Sequence, residues 1–391
     1  MSGKKKMMNK DPEMKKCPVS EICGACTMQG ISYAKQLEIK QEKVDKLFGK
    51  LGKVEKITGA DDPLHYRNKS QISFGYDEKR NVIAGNYVES THILVPIDEC
   101  QLVDSETNRI FRTVISLVRK YRISIFDENR MTGTLRHVLV RNNHDSSEIM
   151  VVLVTGGIRF NNKERFINDL VKKHPNVTAV VQNINSRRTS MILGSRNINL
   201  YGKGYITDEL CGCSFKISAG SFYQINHAQT EKLYRKAIKL AGIGKKDSVL
   251  DTYCGIGTIG IIAGGSAGSV TGVELNRQAV KDAVSNAKYN KVSNISFVAE
   301  DAGRYMDGCR EKYDVVIMDP PRNGSDYRFL ASLAKMKPGR IVYISCNPDT
   351  QYRDVKYLLK RGYAIKHIQP FDMFPYTDHI ENIVLMAKTE K

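Results

Sequence analysis

The chain has 391 residues, more than one ordinary hydrophobic core organises, so two or three domains of about 100–150 residues are expected. Its hydrophobic fraction of 41% is ordinary for a water-soluble protein, and no apolar run reaches the roughly 18 to 20 residues of a bilayer span, which excludes a helical membrane protein. Sixty Lys+Arg against forty-two Asp+Glu leave a net charge of +18; this concentrates polyanions and makes nucleic acid the first partner to consider, although an ordinary basic enzyme carries such an excess too.

Residues 1–16 carry six lysines and no periodic apolar pattern, so they read as a flexible basic tail that either touches phosphate or does nothing. The stretch lacks the apolar core and cleavage site of a secretory signal, and a cytoplasmic location is expected. Nine cysteines, an odd number, without an export signal argue for metal or catalytic use of some thiols rather than a disulfide framework.

Residues 17–56 form a small module, a Cys-rich knot followed by a helical pattern through Ile31, Leu37, Val44, Leu47 and Leu51 that ends at glycine. Cys17, Cys23 and Cys26 supply three thiols, and Cys100, within PIDECQLV, can supply a fourth. Four thiolates suit a structural zinc or a [4Fe–4S] cluster, and the spacing leaves both open.

From 57 to 205 short β-branched and aromatic runs such as SQISFGY, HVLVRNN and EIMVVLVTGG alternate with turn clusters, and helical stretches fall near 104–121 and 162–174. The pattern predicts an α+β domain of antiparallel strands. Cys211 and Cys213 lie in a strand-rich connector and read as strand filler.

Residues 206–391 alternate strand and helix patterns: SVLDTYCG, SVTGVEL, ISFVAED, YDVVIMDPP and RIVYISCNP each precede a helical stretch. Such alternation predicts a doubly wound α/β domain with a parallel sheet, whose ligand crevice lies beyond the carboxyl ends of the strands. Gly255, Gly257 and Gly260 form a G-x-G-x-x-G turn that suits a dinucleotide or S-adenosylmethionine equally. Glu274 ends the next strand, where it can accept from ribose hydroxyls, and Asp301 ends the third, near an adenine. The fourth strand ends in Asp319-Pro320-Pro321-Arg322 and the fifth in Ser345-Cys346-Asn347-Pro348. A hydride-transfer enzyme has no use for a thiol at that place.

Uracil carbon-5 is a poor nucleophile until a thiolate adds to carbon-6, after which a base must remove the carbon-5 proton. Cys346 offers the thiol, with thiolate character favoured by a basic crevice, and Glu381, leading into an apolar strand, offers a partly buried base of raised pKa. Cys254, inside the glycine turn, reads as structural.

The segments SAGSFYQIN, DTYCGIGT, GVELN, MDPPR, SCNPDT and DHIENIVLM stand in the order of the RNA uracil-carbon-5 methyltransferases. From Cys17 onward the chain resembles the 23S ribosomal RNA branch of that family. The resemblance implies a Rossmann-like S-adenosylmethionine-dependent catalytic domain, a central RNA-binding domain and an N-terminal iron–sulfur module. It also implies Cys346 as nucleophile and Glu381 as general base. Gln224, Tyr253, Glu274 and Asp319, with Asp301 added, become the cofactor contacts, and Gln224 and Asp319 also reach a flipped uracil. A [4Fe–4S] cluster on Cys17, Cys23, Cys26 and Cys100 is implied as well, since the transfer-RNA branch lacks that arrangement. Many relatives begin with a small β-barrel RNA-binding (TRAM) domain, for which the sixteen residues before Cys17 leave no room. The expectation is a monomer acting on 23S ribosomal RNA with no obligate protein partner. A transfer-RNA uridine methyltransferase and a catalytically idle ribosome assembly factor are the alternatives.

Overall fold

A computed structural model of the protein describes residues 17–88, 91 and 93–389; the basic tail 1–16 lies outside them. None of the described helices is long and apolar enough to cross a membrane.

Two seven-stranded sheets dominate the architecture. The first has the order Leu94–Pro96, Val82–Tyr87, Lys69–Tyr76, Leu135–Asn142, Ile149–Thr155, Val177–Ile184, Arg196–Gly202. Its central strands are buried on both faces, which is why EIMVVLVTGG is continuously apolar. Ile149, Val151 and Leu153 meet Ile110, Val114, Phe166 and Leu170 of the helices Ser105–Lys120 and Lys163–Lys173. Met150, Val152 and Val154, on the opposite face by the period of two, join a core shared with the C-terminal part of the chain. The expectation of purely antiparallel strands fails at one pair: Ile149–Thr155 runs parallel to Val177–Ile184, because the helix Lys163–Lys173 carries the chain back across the sheet.

The second sheet has the order Ile295–Ala299, Ser269–Glu274, Ser248–Thr252, Val315–Met318, Arg340–Ser345, Glu381–Lys388, Tyr363–Phe371. Helices between the strands make it an α/β fold, as the alternation predicts. It is not wholly parallel, however. Glu381–Lys388 runs antiparallel to both neighbours, since it follows Tyr363–Phe371 without a crossover helix. The reversal brings the start of this last strand to the edge where the parallel strands end.

The helix Tyr33–Phe48, capped by the Ser32 side chain, lays Val44 and Phe48 into the core beside Val355, Leu358 and Ile368. Between the sheets a hairpin pairs Tyr205–Leu210 with Cys213–Ser218. Cys211 is its turn residue, at φ 55 beside Gly212 at φ 83, rather than part of a strand; a two-residue turn of this hand requires positive φ at both positions.

Candidate active site

The turn between Ser248–Thr252 and the helix Thr258–Gly264 is built from left-handed residues, Tyr253 at φ 63, Gly255 at φ 56 and Gly257 at φ 82. A side chain on Gly257 would strike the Phe297 ring at 2.9 Å, and one on Gly260 would strike Asp251 Oδ2 at 2.9 Å. The backbone can therefore fold tightly over the strand ends. For a tyrosine the left-handed conformation costs on the order of 1–3 kcal/mol, a strain that tends to gather at functional sites.

Glu274 ends its strand and laces the turn, accepting from Gly255 N at 3.1 Å and Asn276 N at 2.7 Å. Asp301 lies just past its strand, which stops at Ala299. There it caps the helix Ala302–Gly308 by accepting from Arg304 N at 2.9 Å, so that residue caps a helix rather than ending a strand. Tyr253 connects the two sides: its hydroxyl meets the Ser325 side chain and feels the charges of Asp326 and Asp301, while its ring packs 5.3 Å from that of Phe329.

Two residues that sequence reasoning missed organise the floor. Asp251, 1% exposed, accepts from Gly260 N at 2.8 Å. Burial, with Asp319 and Glu274 nearby, raises its carboxyl to about 8. Tyr234, on the helix His227–Ala241, touches the side chains of Thr258 and Gln224 and lies within the field of Asp319 and Asp251. It thus ties the loop bearing Gln224 to the glycine turn. Gln224 is itself buried, and its carbonyl accepts from Asn68 Nδ2 at 3.0 Å, a contact from the first sheet. Tyr234, on a helical core face, carries no motif; Asp251 opens the DTYCGIGT segment, but nothing local in that segment marks it as buried beside Asp319 and Glu274.

Cys346 leaves the end of Arg340–Ser345, and Glu381 opens Glu381–Lys388. Pairing of Ser345 with Asn382 sets the two opposite each other. Glu381 is 2% exposed rather than partly buried, and its Oε2 has no hydrogen-bond partner. Burial first, then Asp319, raises its carboxyl well above the usual range, with Arg322 pulling the other way. Asp319, at the end of Val315–Met318, is raised to about 7 by burial.

The electrostatics overturn the expected thiolate. Cys346 is pushed up to about 12, by burial and then by Glu381 and Asp319, against which Arg322 acts alone among the named neighbours. The net basic charge of the chain does not decide the matter; two adjacent carboxyl groups do. Arg322 is held over the site by donating from Nη2 to His379 Nδ1 at 2.8 Å, and its carbonyl accepts from Asn347 Nδ2 at 3.0 Å. Cys254, 6% exposed, sits beneath the turn.

All seven residues expected at the catalytic crevice thus gather at the carboxyl-end edge of the second sheet. The remaining four form a separate group. Burial raises the Cys26 thiol to about 11, and Cys100, Cys23 and Cys17 add to the effect while the Arg67 cation opposes it. Asn86 Nδ2 lies 3.6 Å from Cys23 Sγ.

Comparison with known proteins gives consistent findings. Residues 186–389 match the family model described as tRNA (Uracil-5-)-methyltransferase. The chain is 40% identical over 380 residues to an uncharacterized RNA methyltransferase of Halalkalibacterium halodurans, over 95% of this chain and 82% of that protein. With one from Staphylococcus epidermidis it shares 42% identity over 377 residues, 94% of this chain and 82% of the other. Among solved structures it is similar to the Pyrococcus abyssi tRNA (uracil-54, C5)-methyltransferase in complex with S-adenosyl-L-homocysteine. The TM-score is 0.78 at 28% identity, covering 93% of this chain and 86% of that one.

Proposed function

From the premise that this chain belongs to the S-adenosylmethionine-dependent RNA uracil-5-methyltransferases, we propose that it methylates carbon-5 of a uridine in 23S ribosomal RNA through a covalent bond from Cys346. The observation that carries the reading is the register that sets Cys346 opposite Glu381, with Asp319 beside both.

Bound S-adenosylmethionine supplies an electrophilic methyl carbon. Gln224, Tyr253, Glu274, Asp301 and Asp319 would hold it, and the fit is chemical: a sulfonium cation is complementary to buried carboxyl groups such as Asp319 and Asp251, whose ionised forms it would favour. Cys346 forms a bond from sulfur to uracil carbon-6 while its proton passes to Asp319, which near neutrality is partly ionised and free to accept it. The electron pair of the ring double bond then serves carbon-5 as the nucleophile that takes the methyl group, the bond from that methyl to the sulfonium breaking to leave neutral S-adenosylhomocysteine. Glu381, once it has given up the proton that burial favours, removes the carbon-5 proton; the double bond re-forms as the carbon–sulfur bond breaks, and Cys346 leaves as a thiolate that regains its proton from Asp319. A base ring can enter this crevice only when flipped out of its stack, which favours a loop nucleotide.

Cys17, Cys23, Cys26 and Cys100 hold a [4Fe–4S] cluster in this reading. Their thiols sense one another. Iron and acid-labile sulfide after anaerobic purification support the cluster, and stoichiometric zinc without sulfide rejects it.

Transfer RNA is the second reading, favoured by the tRNA-directed enzyme that matches 93% of the chain. Transfer of labelled methyl groups to fractionated total RNA, followed by mapping of 5-methyluridine, separates the two. Label in 23S RNA supports the proposal, label in tRNA replaces its target, and binding without label leaves an assembly factor.

A further inference from the structure

Where the first sheet meets the loop 219–226, Lys69 and Arg141 stand directly opposite each other on neighbouring strands. Arg141 donates from Nη2 to the Ser221 carbonyl at 2.8 Å, and Asn68, beside Lys69, donates to the Gln224 carbonyl. Leu139, two residues from Arg141 and on the same face, joins the core shared with the C-terminal part of the chain. The pair therefore borders the crevice that holds Gln224. We infer that Lys69, with Arg141 as a fixed cation behind it, binds a backbone phosphate of the RNA beside the flipped uridine. The inference rests on the RNA reading above and adds to it the group that grips the strand.

Two cations directly opposite each other in a sheet repel, and among the described residues no carboxylate relieves them. Burial and then Arg141 lower the Lys69 ammonium to about 8, and burial lowers Arg141 to about 10, opposed only by Tyr223. Arg141 is 2% exposed, and its Nε and Nη1 are buried without a hydrogen-bond partner. It therefore acts on a ligand through its field rather than by touch. Lys69 is half-buried, and Gln71, two residues along on the same face, is exposed, which makes Lys69 the member that a ligand reaches. A bound anion removes the repulsion felt by both. A phosphodiester suits the place because a flipped uridine brings its own flanking phosphates to the crevice, where a lysine ammonium meets them as a point charge.

The competing possibility is that Lys69 only packs its aliphatic stem. Filter binding with S-adenosylhomocysteine present, over a series of KCl concentrations and with ribosomal and transfer RNA measured separately, distinguishes them. For the RNA bound more tightly, Lys69→Gln should weaken binding on the order of tenfold. It should also lower the slope of log K against log salt by about 0.7, the share of one phosphate on a single strand. Lys69→Arg should keep both, and Lys312→Gln, which precedes the strand Val315–Met318 at the opposite edge of the second sheet, should change neither. Because the pair repels, Lys69→Gln should raise the Tm of the free protein, whereas loss of a packing lysine would lower it. Acetic anhydride at pH 8, with peptide mapping, gives a direct footprint: Lys69 should acetylate in the free protein and be shielded by RNA. Unchanged RNA affinity and slope in Lys69→Gln, or equal acetylation of Lys69 with RNA bound, overturns the inference. Failure to methylate any RNA would overturn the reading above instead, and the binding measurements would still decide the role of Lys69.

Discussion

Cys346 and Glu381 stand side by side because their strands run in opposite directions, the pairing of Ser345 with Asn382 fixing their register. Were Glu381–Lys388 parallel to its neighbours, its first residue would lie at the far edge of the sheet. The one reversed strand in this half of the sheet therefore creates the juxtaposition of the proposed nucleophile and base.

If that pair performs addition and elimination, its members fail differently. Cys346→Ala should abolish methyl transfer while S-adenosylhomocysteine still binds. Glu381→Gln should allow addition but slow proton removal, by about 10²–10⁴-fold for loss of a general base, and RNA should accumulate on the protein in a form that survives denaturing gel electrophoresis. Turnover near the wild-type rate in either variant would remove that residue from the mechanism.

The raised thiol of Cys346 predicts its own pH profile. With the group at about 12, alkylation of Cys346 by iodoacetamide, followed peptide by peptide by mass spectrometry, should be slow at pH 7 and rise roughly tenfold per pH unit, without a plateau below pH 10. Arg322→Gln removes the opposing cation and should slow the reaction, whereas Asp319→Asn should speed it. A plateau near pH 7 would mean that a thiolate is present after all.

What could be read in advance follows a physical division. The Gly255–Gly260 turn, Asp319-Pro320-Pro321-Arg322 and Ser345-Cys346-Asn347-Pro348 are each local, because a doubly wound sheet delivers its functional residues at strand ends that sequence pattern locates. Tyr234 is not legible because its role comes from packing between distant segments and its immediate neighbours look like core, while Asp251 opens a recognisable motif whose local pattern does not reveal its burial beside Asp319 and Glu274. The direction of Glu381–Lys388 and the parallel pairing of Ile149–Thr155 depend on what the intervening chain can span. The ionisation of Cys346 is not legible in the sequence for a related reason: net charge is a property of the whole chain, while a pKa answers to the groups within a few ångströms.

Buried carboxyls that stay protonated leave a signature in stability. Asp251 is raised to about 8 and Asp319 to about 7, against about 3.9 for an unfolded aspartate. Between those values the folded protein binds more protons than the unfolded chain, so stability is greatest near the unfolded pKa and declines as pH rises toward 8. The Tm without cofactor should accordingly fall from pH 5 to pH 8, and Asp251→Asn should flatten the decline. A Tm that climbs over this range would show that these acids are ionised in the folded state. Binding of cationic S-adenosylmethionine should release protons and tighten across the same window, more than binding of the neutral-sulfur homocysteine product, a difference that calorimetry in buffers of unequal ionisation enthalpy measures directly.

The loop that delivers Glu381 is held from the other end of the chain. Met28 N donates to the Tyr376 carbonyl at 3.1 Å, Tyr376 N donates to Gln36 Oε1 at 2.9 Å, and Asp378 N donates to Thr27 Oγ1 at 2.8 Å. Beneath them Lys40, 1% exposed, places Nζ 2.6 Å from Asp372 Oδ1 and 3.2 Å from the Phe374 carbonyl. Burial lowers Lys40 and raises Asp372, yet each partner's charge works to keep the other ionised. Removing one partner strands the other in the core, so Lys40→Ala should cost about 3–5 kcal/mol in urea unfolding, whereas the apolar pair Lys40→Met with Asp372→Leu should recover most of that. Catalysis should respond otherwise. The double variant keeps the packing but loses the fixed charge pair under the loop, so kcat should fall while affinity for S-adenosylhomocysteine, whose proposed place is the glycine turn, stays close to wild type. If the double variant turns over normally, the ion pair serves folding alone, and the placement of Glu381 rests on the backbone contacts from Thr27, Met28 and Gln36.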